Sequence, residues 1–197
     1  MSTYTALRPI LEPRSVAVVG VSRSGKQGAV FLNGLKDPGF DGPVYVVNPS
    51  ADEVLGVKAY PTVADLPETP DLAVLTLPAE PAIQVVAECA ERGVPGVALF
   101  TAGFHELGTP EGRERGERLR AAAGGRTRLI GPNGMGVYNP RRGMAMFPGL
   151  PSKNGGLGLV SQSGSLTSFT IRAAASRGLG FSKTVAMGNQ LDLNAAD

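Results

Sequence analysis

Residues 18–28 read Val-Val-Gly-Val-Ser-Arg-Ser-Gly-Lys-Gln-Gly, an apolar run that breaks into small residues around one lysine. Gly20, Ser22, Ser24, Gly25 and Gly28 let backbone N–H groups come close to an anion, and Lys26 adds a full positive charge. A helix-like run (Ala29, Val30, Phe31, Leu35) begins at once. Orphan N–H groups at a helix start favour negative charge, so the segment reads as a phosphate cradle at the first strand-to-helix turn. Three ligands compete for it: a nucleoside triphosphate, a dinucleotide and coenzyme A (CoA).

The triphosphate reading fits Gly20 to Lys26 as G-x-x-x-x-G-K, but the next residue should be Ser or Thr for magnesium and is Gln27. The acid that would help hold the metal should follow a strand, whereas Asp71 precedes one. The dinucleotide reading needs G-x-G-x-x-G and an acid about 20 residues on. The glycines here are Gly20, Gly25 and Gly28, and the second apolar run (Val44–Val47) ends in Asn48-Pro49, which supplies no charge.

Other reactive residues are few. His105, the one histidine, lies in a loop after an apolar run, and adjacent Glu106 points elsewhere on most backbones, so it reads as a loop residue. Ser161-Gln162-Ser163-Gly164 is not a nucleophile elbow, and with one histidine serine-hydrolase chemistry is not expected. Ser163 reads as a helix cap, on N–H groups that could equally hold an anion. Cys89 falls in a helix-like run (Ile83, Val86, Cys89, Ala90) and reads as a small buried residue. No catalytic residue and no metal site are assigned.

These residues need a scaffold. At 197 residues and 42% hydrophobic, the chain can build one full domain and part of another. A net charge of +2 gives no argument for nucleic acid or a membrane surface, and without Trp no base-stacking platform is visible. No long apolar stretch or signal-peptide core is present, which makes the cytoplasm the default location. Strands are expected at 15–20, 43–47, 72–77, 94–100 and 128–130, and helices at 27–36, 81–92 and 110–123. Pro81 and Pro110 suit first turns, Thr109 suits an N-cap and Gly93 a stop. Alternating strands and helices with continuous apolar strands predict an α/β fold, a parallel sheet covered on both faces. Ligands on such sheets bind at the carboxyl ends of strands, so Gly20, Asn48, Leu77-Pro78 and Thr101-Ala102 should converge on one crevice.

After the turn cluster Gly-Pro-Asn-Gly-Met-Gly (131–136) an irregular stretch runs to Asn154. A second βαβ unit follows: strand 156–160, helix 164–177, strand 181–187. Such a unit alone cannot bury both faces of its strands, so it is expected to be incomplete or to borrow a surface from a second copy or a partner. The run 111–120 (EGRERGERLR) reads as a solvated helix face with i,i+4 pairs, Arg141-Arg142 as an exposed loop pair, and Met144 and Met146 as gap-fillers.

From about Leu7 to Asp197 the chain resembles the N-terminal part of the NDP-forming acyl-CoA synthetases, relatives of the succinyl-CoA synthetase α subunit. The likeness rests on LEPRSVAVVGVS (11–22), GKQG (25–28), VNP (47–49), LGVKAYPTVADLP (55–67) and DLAVLTLPA (71–79). It continues through TAGFHE (101–106), GPNGMG (131–136), SQSG (161–164) and GN (188–189), in that order and spacing. The resemblance implies a Rossmann-like CoA-binding domain over 1–136, a linker over 137–154, and the first βαβ part of a flavodoxin-like domain over 155–197. It implies that Gly20, Ser22, Gly25, Lys26 and Gly28 hold CoA phosphates, and that Val47, Asn48 and Pro49 line the adenosine side. Pro78 and Ala79 would follow the pantetheine, with Thr101, Ala102 and Gly103 near it and Asn133 at the thiol end. Ser163 and Gly164 would open a helix that stabilises a phosphohistidine.

That family makes acyl-CoA from an acid, CoA and ATP or GTP, through acyl phosphate and phosphohistidine, with an ATP-grasp domain or subunit as partner. ATP or GTP and Mg would therefore be handled outside this chain. The family's phosphohistidine lies beyond the stretch present here, so no turnover by the chain alone is expected. Position 50 often carries Lys in the family and is Ser50 here; Lys58 is a candidate substitute. Two other functions stay open at this point: a non-catalytic CoA or acyl-CoA sensor, for example in a protein acetyltransferase fusion, and an NAD(P)-binding Rossmann protein.

Overall fold

A computed structural model describes residues 3–21 and 27–197. In chain order the elements are α1 (Thr3–Leu11), β1 (Val16–Val19), α2 (Gln27–Lys36), β2 (Val44–Val47), β3 (Glu53–Val54), β4 (Val57–Tyr60), β5 (Leu72–Leu75), α3 (Ala79–Arg92) and β6 (Gly96–Leu99). There follow α4 (Pro110–Ala123), β7 (Arg128–Ile130), β8 (Gly136–Tyr138), β9 (Asn154–Ser161), α5 (Gly164–Ala175) and β10 (Phe181–Ala186).

The first sheet has the order β3-β4-β2-β1-β5-β6-β7. Its strands pair in parallel except β3, which is antiparallel to β4 at the edge. Val16–Val19 lies in register with Val44–Val47 on one side and Leu72–Leu75 on the other. Successive side chains point to opposite faces of a strand. Val16 and Val18 accordingly join Phe31, Leu32 and Leu35 of α2 and Leu7 and Ile10 of α1 in one core. Ala17 and Val19 join Ile83 and Val86 of α3 and Leu119 of α4 in the other. Every residue of β1, β5 and β6 is buried, which is why these strands read as unbroken apolar runs. The order reverses between β1 and β5, the switch point where open α/β sheets leave a crevice.

The expected elements form, with shifts at their ends. The third helix starts at Ala79, so Pro81 sits within its first turn and Pro78 is the cap residue. Thr109 caps α4 by accepting from the Gly112 N–H, and Gly93 ends α3 with φ +77°. The stretch after Gly136 is more ordered than its composition suggests. β8 pairs antiparallel with β10, and Met144 and Met146 are buried in the α2-side core. Arg142 is no idle loop residue: it pairs with Asp41 at 3.0 Å and donates to the Pro13 carbonyl.

The smaller sheet runs β8-β10-β9, with β9 parallel to β10 at its edge. Leu157 and Val160 of β9 and Leu166 and Phe169 of α5 are exposed, Phe169 to 71%. These side chains leave apolar surface uncovered on this unit. No helix among the described residues is long and apolar enough to cross a membrane.

Candidate functional site

Five strand ends meet above the larger sheet: Gly20 after β1, Asn48 after β2, Leu77 after β5, Thr101 after β6 and Asn133 after β7. Two cavities open there. One, of about 410 Å³, is walled by Gly20, Val21, Val47, Asn48 and Pro49, by Pro61 and Thr62 after β4, and by Leu77, Pro81, Gln84, Val85 and Glu88. The other, of about 420 Å³, is walled by Thr76, Leu77, Pro78, Phe100, Thr101, Ala102 and Asn133. Leu77 lines both, so the two cavities lie side by side at the switch point, and together they are termed the trough.

Short polar side chains hold the strand ends in place. The Thr76 hydroxyl donates to the Val19 carbonyl (3.1 Å), and the Thr101 hydroxyl to the Leu77 carbonyl (2.8 Å). The Asn48 amide donates to the Val21 carbonyl (2.7 Å), while its oxygen accepts from the Ser50 N–H (2.8 Å). Asn48 thus spends its side chain tying the turn after β1 to the turn after β2. Gly28, in the first turn of α2, lets that helix lie on β1's exit: a Cβ there would stand 2.6 Å from the Val21 Cα. This is the close helix–strand approach that a Rossmann turn requires of a glycine.

The loop after β6 is seated with equal care. Phe104 is fully buried beside α4. Gly112 and Gly116 present a bare strip of α4, where a Cβ would overlap the Phe104 carbonyl and the His105 ring respectively. The run 111–120 is therefore not solvated all round. Its cations also reach across rather than along the helix: Arg115 and Arg118 both pair with Glu80 of α3, at 3.2 and 2.7 Å. Glu106 accepts from the Gly103 N–H (2.5 Å) and the Phe104 N–H (3.2 Å) through one oxygen, and from the Asn189 amide (2.6 Å) through the other. Burial alone would raise its pKa, but the backbone N–H groups of Gly103, Glu106 itself and Phe104, with the Asn189 amide, hold it below the usual carboxylate range.

Of the sequence-predicted site residues, Gly20, Val47, Asn48 and Pro49 meet in the first cavity, and Pro78, Thr101, Ala102 and Asn133 in the second. Ala79 and Gly103 lie side by side next to the trough but wall neither cavity. Ser22, Gly25 and Lys26 lie outside the described residues. Ser163 and Gly164 are not in the trough. The Ser163 hydroxyl caps α5 by accepting from the Leu166 N–H, and Gly164 is covered by the Met135 side chain, two residues beyond Asn133. Lys58 lies over the Tyr60 ring (4.9 Å) and is not among the wall residues.

Sequence reasoning missed Pro61, Thr62, Gln84, Val85 and Glu88. Gln84 and Glu88 stand one helical turn apart on α3, and no local signal in the sequence marks the face they share. Glu88 is the one ionisable group among the described wall residues, so fixed positive charge for a phosphate is not built into these walls. A third cavity of about 190 Å³, between α1, β7 and the C-terminal segment, is lined mainly by apolar residues such as Leu7, Ile10, Val185 and Leu193 and offers no converging donors. Among the described residues no group of three His, Cys, Asp or Glu side chains is placed to hold a metal ion.

A Rossmann-like sheet with cavities at its switch point places a ligand site at the carboxyl ends of its strands. The chain belongs to the CoA binding domain family, whose match covers residues 14–140, and residues 154–197 match the succinyl-CoA ligase like flavodoxin domain. It is 37% identical to the ADP-forming acetate–CoA ligase II of Archaeoglobus fulgidus, over 97% of this chain and 29% of that protein. It is 38% identical to the α subunit of the ADP-forming acetate–CoA ligase II of Pyrococcus furiosus, over 94% of this chain and 40% of the subunit. The apo structure of the dinucleotide forming acetyl-coenzyme A synthetase 1 of Ca. Korarchaeum cryptofilum superposes with a TM-score of 0.88 at 33% identity, covering 97% of this chain and 42% of that one. The chain thus corresponds to the CoA-binding part of ADP-forming acetyl-CoA synthetases and spans less than half the length of these relatives.

Proposed function

We propose that this chain is the CoA-binding portion of an NDP-forming acid–CoA ligase, working with a nucleotide-binding domain or subunit that this stretch does not include. The observation that carries the reading is the shared wall at Leu77. It sets two chambers of similar size side by side, one for the nucleotide end of a ligand and one for its thiol arm.

The chambers suit the two ends differently. Val47, Pro49, Pro61 and Val85 give the first flat apolar walls for a purine, with Gln84 and Glu88 as acceptors for an exocyclic amine. The second, ending at Asn133, suits the thiol arm. The phosphates would fall between them, at Gly20 and the start of α2, where Ser22, Gly25 and Lys26 are contributed by the turn. Orphan N–H groups and Lys26 would supply the positive charge that the described walls lack. Ser163 and Gly164 would serve a phosphoryl group at the start of α5. We assign residues 1–136 to CoA binding and 155–197 to the flavodoxin-like unit.

The test is calorimetric titration of CoA into the full chain, with NADH and ATP as controls and Lys26→Ala alongside. Selective CoA binding that weakens about tenfold in Lys26→Ala is expected for loss of a charged hydrogen bond. Binding of NADH or ATP in preference to CoA would refute the reading.

A further inference from the structure

Three loops around the second chamber form a closed ring of hydrogen bonds. The Asn133 N–H donates to the Thr101 carbonyl (2.8 Å), and the Asn189 N–H to the Pro132 carbonyl (2.8 Å). The Asn189 side-chain amide donates to Glu106 (2.6 Å), and Glu106 in turn accepts from the Gly103 and Phe104 N–H groups. The ring runs from the loop after β6, through the loop after β7, to the loop after β10, and back. Its one link through a charged group is Glu106, and Thr101 and Ala102, two residues ahead of the clamped amides, are chamber wall.

We propose that Glu106 is a positioning residue, the clasp that closes this ring and fixes the Thr101–Ala102 wall against the segment following β10. It does not line the chamber itself. A carboxylate suits the task because both partners are donors: one oxygen takes two backbone N–H groups and the other takes the Asn189 amide. Without the clasp the loop remains seated on α4 by Phe104, and Thr101 keeps its bonds to Leu77 and Asn133, but the link to the segment following β10 is lost. A ligand whose competent wall is populated a fraction of the time binds more weakly by that fraction. The consequence for CoA rests on the reading above; the ring itself does not.

The chemistry supplies a reciprocal test. In Glu106→Gln the side-chain oxygen still accepts from Gly103 and Phe104, and the Asn189 amide turns over so that its oxygen accepts from the new amide, which keeps the ring with neutral bonds. In Asn189→Asp two carboxylates face each other, and no turn of either side chain repairs the link. In the double variant Glu106→Gln/Asn189→Asp the glutamine amide donates to the aspartate, and the ring closes with that bond reversed. CoA titration and hydrogen exchange over residues 101–107 without ligand are measured on all four full chains. The expected result is about tenfold faster exchange and at least about threefold weaker CoA binding in Asn189→Asp, a smaller change in Glu106→Gln, and recovery in the double. An Asn189→Asp chain that exchanges and binds like the parent, or a double no better than Asn189→Asp, would overturn the proposal. If the parent chain binds no CoA, the CoA reading fails, and exchange alone decides the clasp: unchanged exchange in Asn189→Asp refutes it, and faster exchange recovered in the double supports it.

Discussion

Phe104→Ala is the sharpest test of how the β6 loop is built. The Phe104 ring is fully buried among Leu119 and its neighbours, although Phe104 belongs to a loop rather than to a strand or helix. Truncating a fully buried phenylalanine costs about 3–5 kcal/mol, from lost transfer free energy and the cavity left behind. In a chain of this size each kcal/mol lowers Tm by about 2–4 °C, so a fall of about 6–20 °C is expected. The protein has no Trp, so the unfolding is followed by far-UV circular dichroism in urea, with the slope compared between variants. Phe104→Leu keeps most of the apolar area and should recover at least half of the loss. The glycine strip on α4 exists to let the Phe104 carbonyl and His105 ring come close, so ring and strip form one seat. A loss below about 1 kcal/mol in Phe104→Ala would mean the ring is not in the core, and the account of the seat would fall with it.

Three further outcomes are expected. The Asp71 carboxyl is pushed up by burial, yet the Arg14 guanidinium and backbone N–H, at 2.8–3.2 Å, prevail and hold it below the usual range. A depressed folded-state pKa contributes stability above the unfolded value of about 3.9 that is lost as pH falls through the folded value, so Asp71→Asn should flatten the acid limb of the stability curve below about pH 5 while costing stability at pH 7; parallel acid limbs for parent and variant would contradict this. Cys89 is fully buried, and burial pushes its thiol up to about 12. Iodoacetamide at pH 8 should therefore label it only in urea, as read by mass spectrometry, and rapid labelling of the native chain would disprove the packing of α3. Asn48→Asp removes the donor to Val21 and adds an anion beside the phosphate turn, so CoA binding should weaken by about tenfold or more; unchanged binding would show that the Asn48 tie does not shape the trough.

The sheet was legible because its strands are buried on both faces, and β1, β5 and β6 announce this as unbroken apolar runs. The α2 and α4 spans were legible for the opposite reason, since caps and apolar spacing are local signals. Helix α1 was not, because Pro9 lies inside it and Pro13 just beyond, and proline argues locally against a helix that tertiary packing of Leu7 and Ile10 supports. The β3–β4 hairpin is too short to show a period. In the site, the strand-end residues could be read because topology alone brings them together. Gln84 and Glu88 could not, because which face of α3 overhangs the crevice depends on how the helix packs, not on its own sequence.

The described polar side chains of this crevice serve mostly to hold the protein together. Thr76, Thr101 and Asn48 each give a donor to a neighbouring strand end, and Glu106 accepts from two backbone N–H groups and an amide. What these ties leave facing the trough is chiefly backbone and apolar wall, with Glu88 the single described charge. Such a surface gives shape selectivity but little anchoring, and under the proposed function the anchoring of a polyphosphate is assigned to the N–H groups and lysine of the first turn. Substitutions should therefore divide into two kinds. Those at Lys26 should weaken phosphate-bearing ligands in general, with strong salt dependence, because a point charge is screened. Those at Leu77 or Val85 should alter the preference between CoA and a shorter nucleotide such as ADP with little change in salt dependence. A Leu77 variant whose effect vanished at high salt would show that electrostatics, not the shape of the trough, selects the ligand.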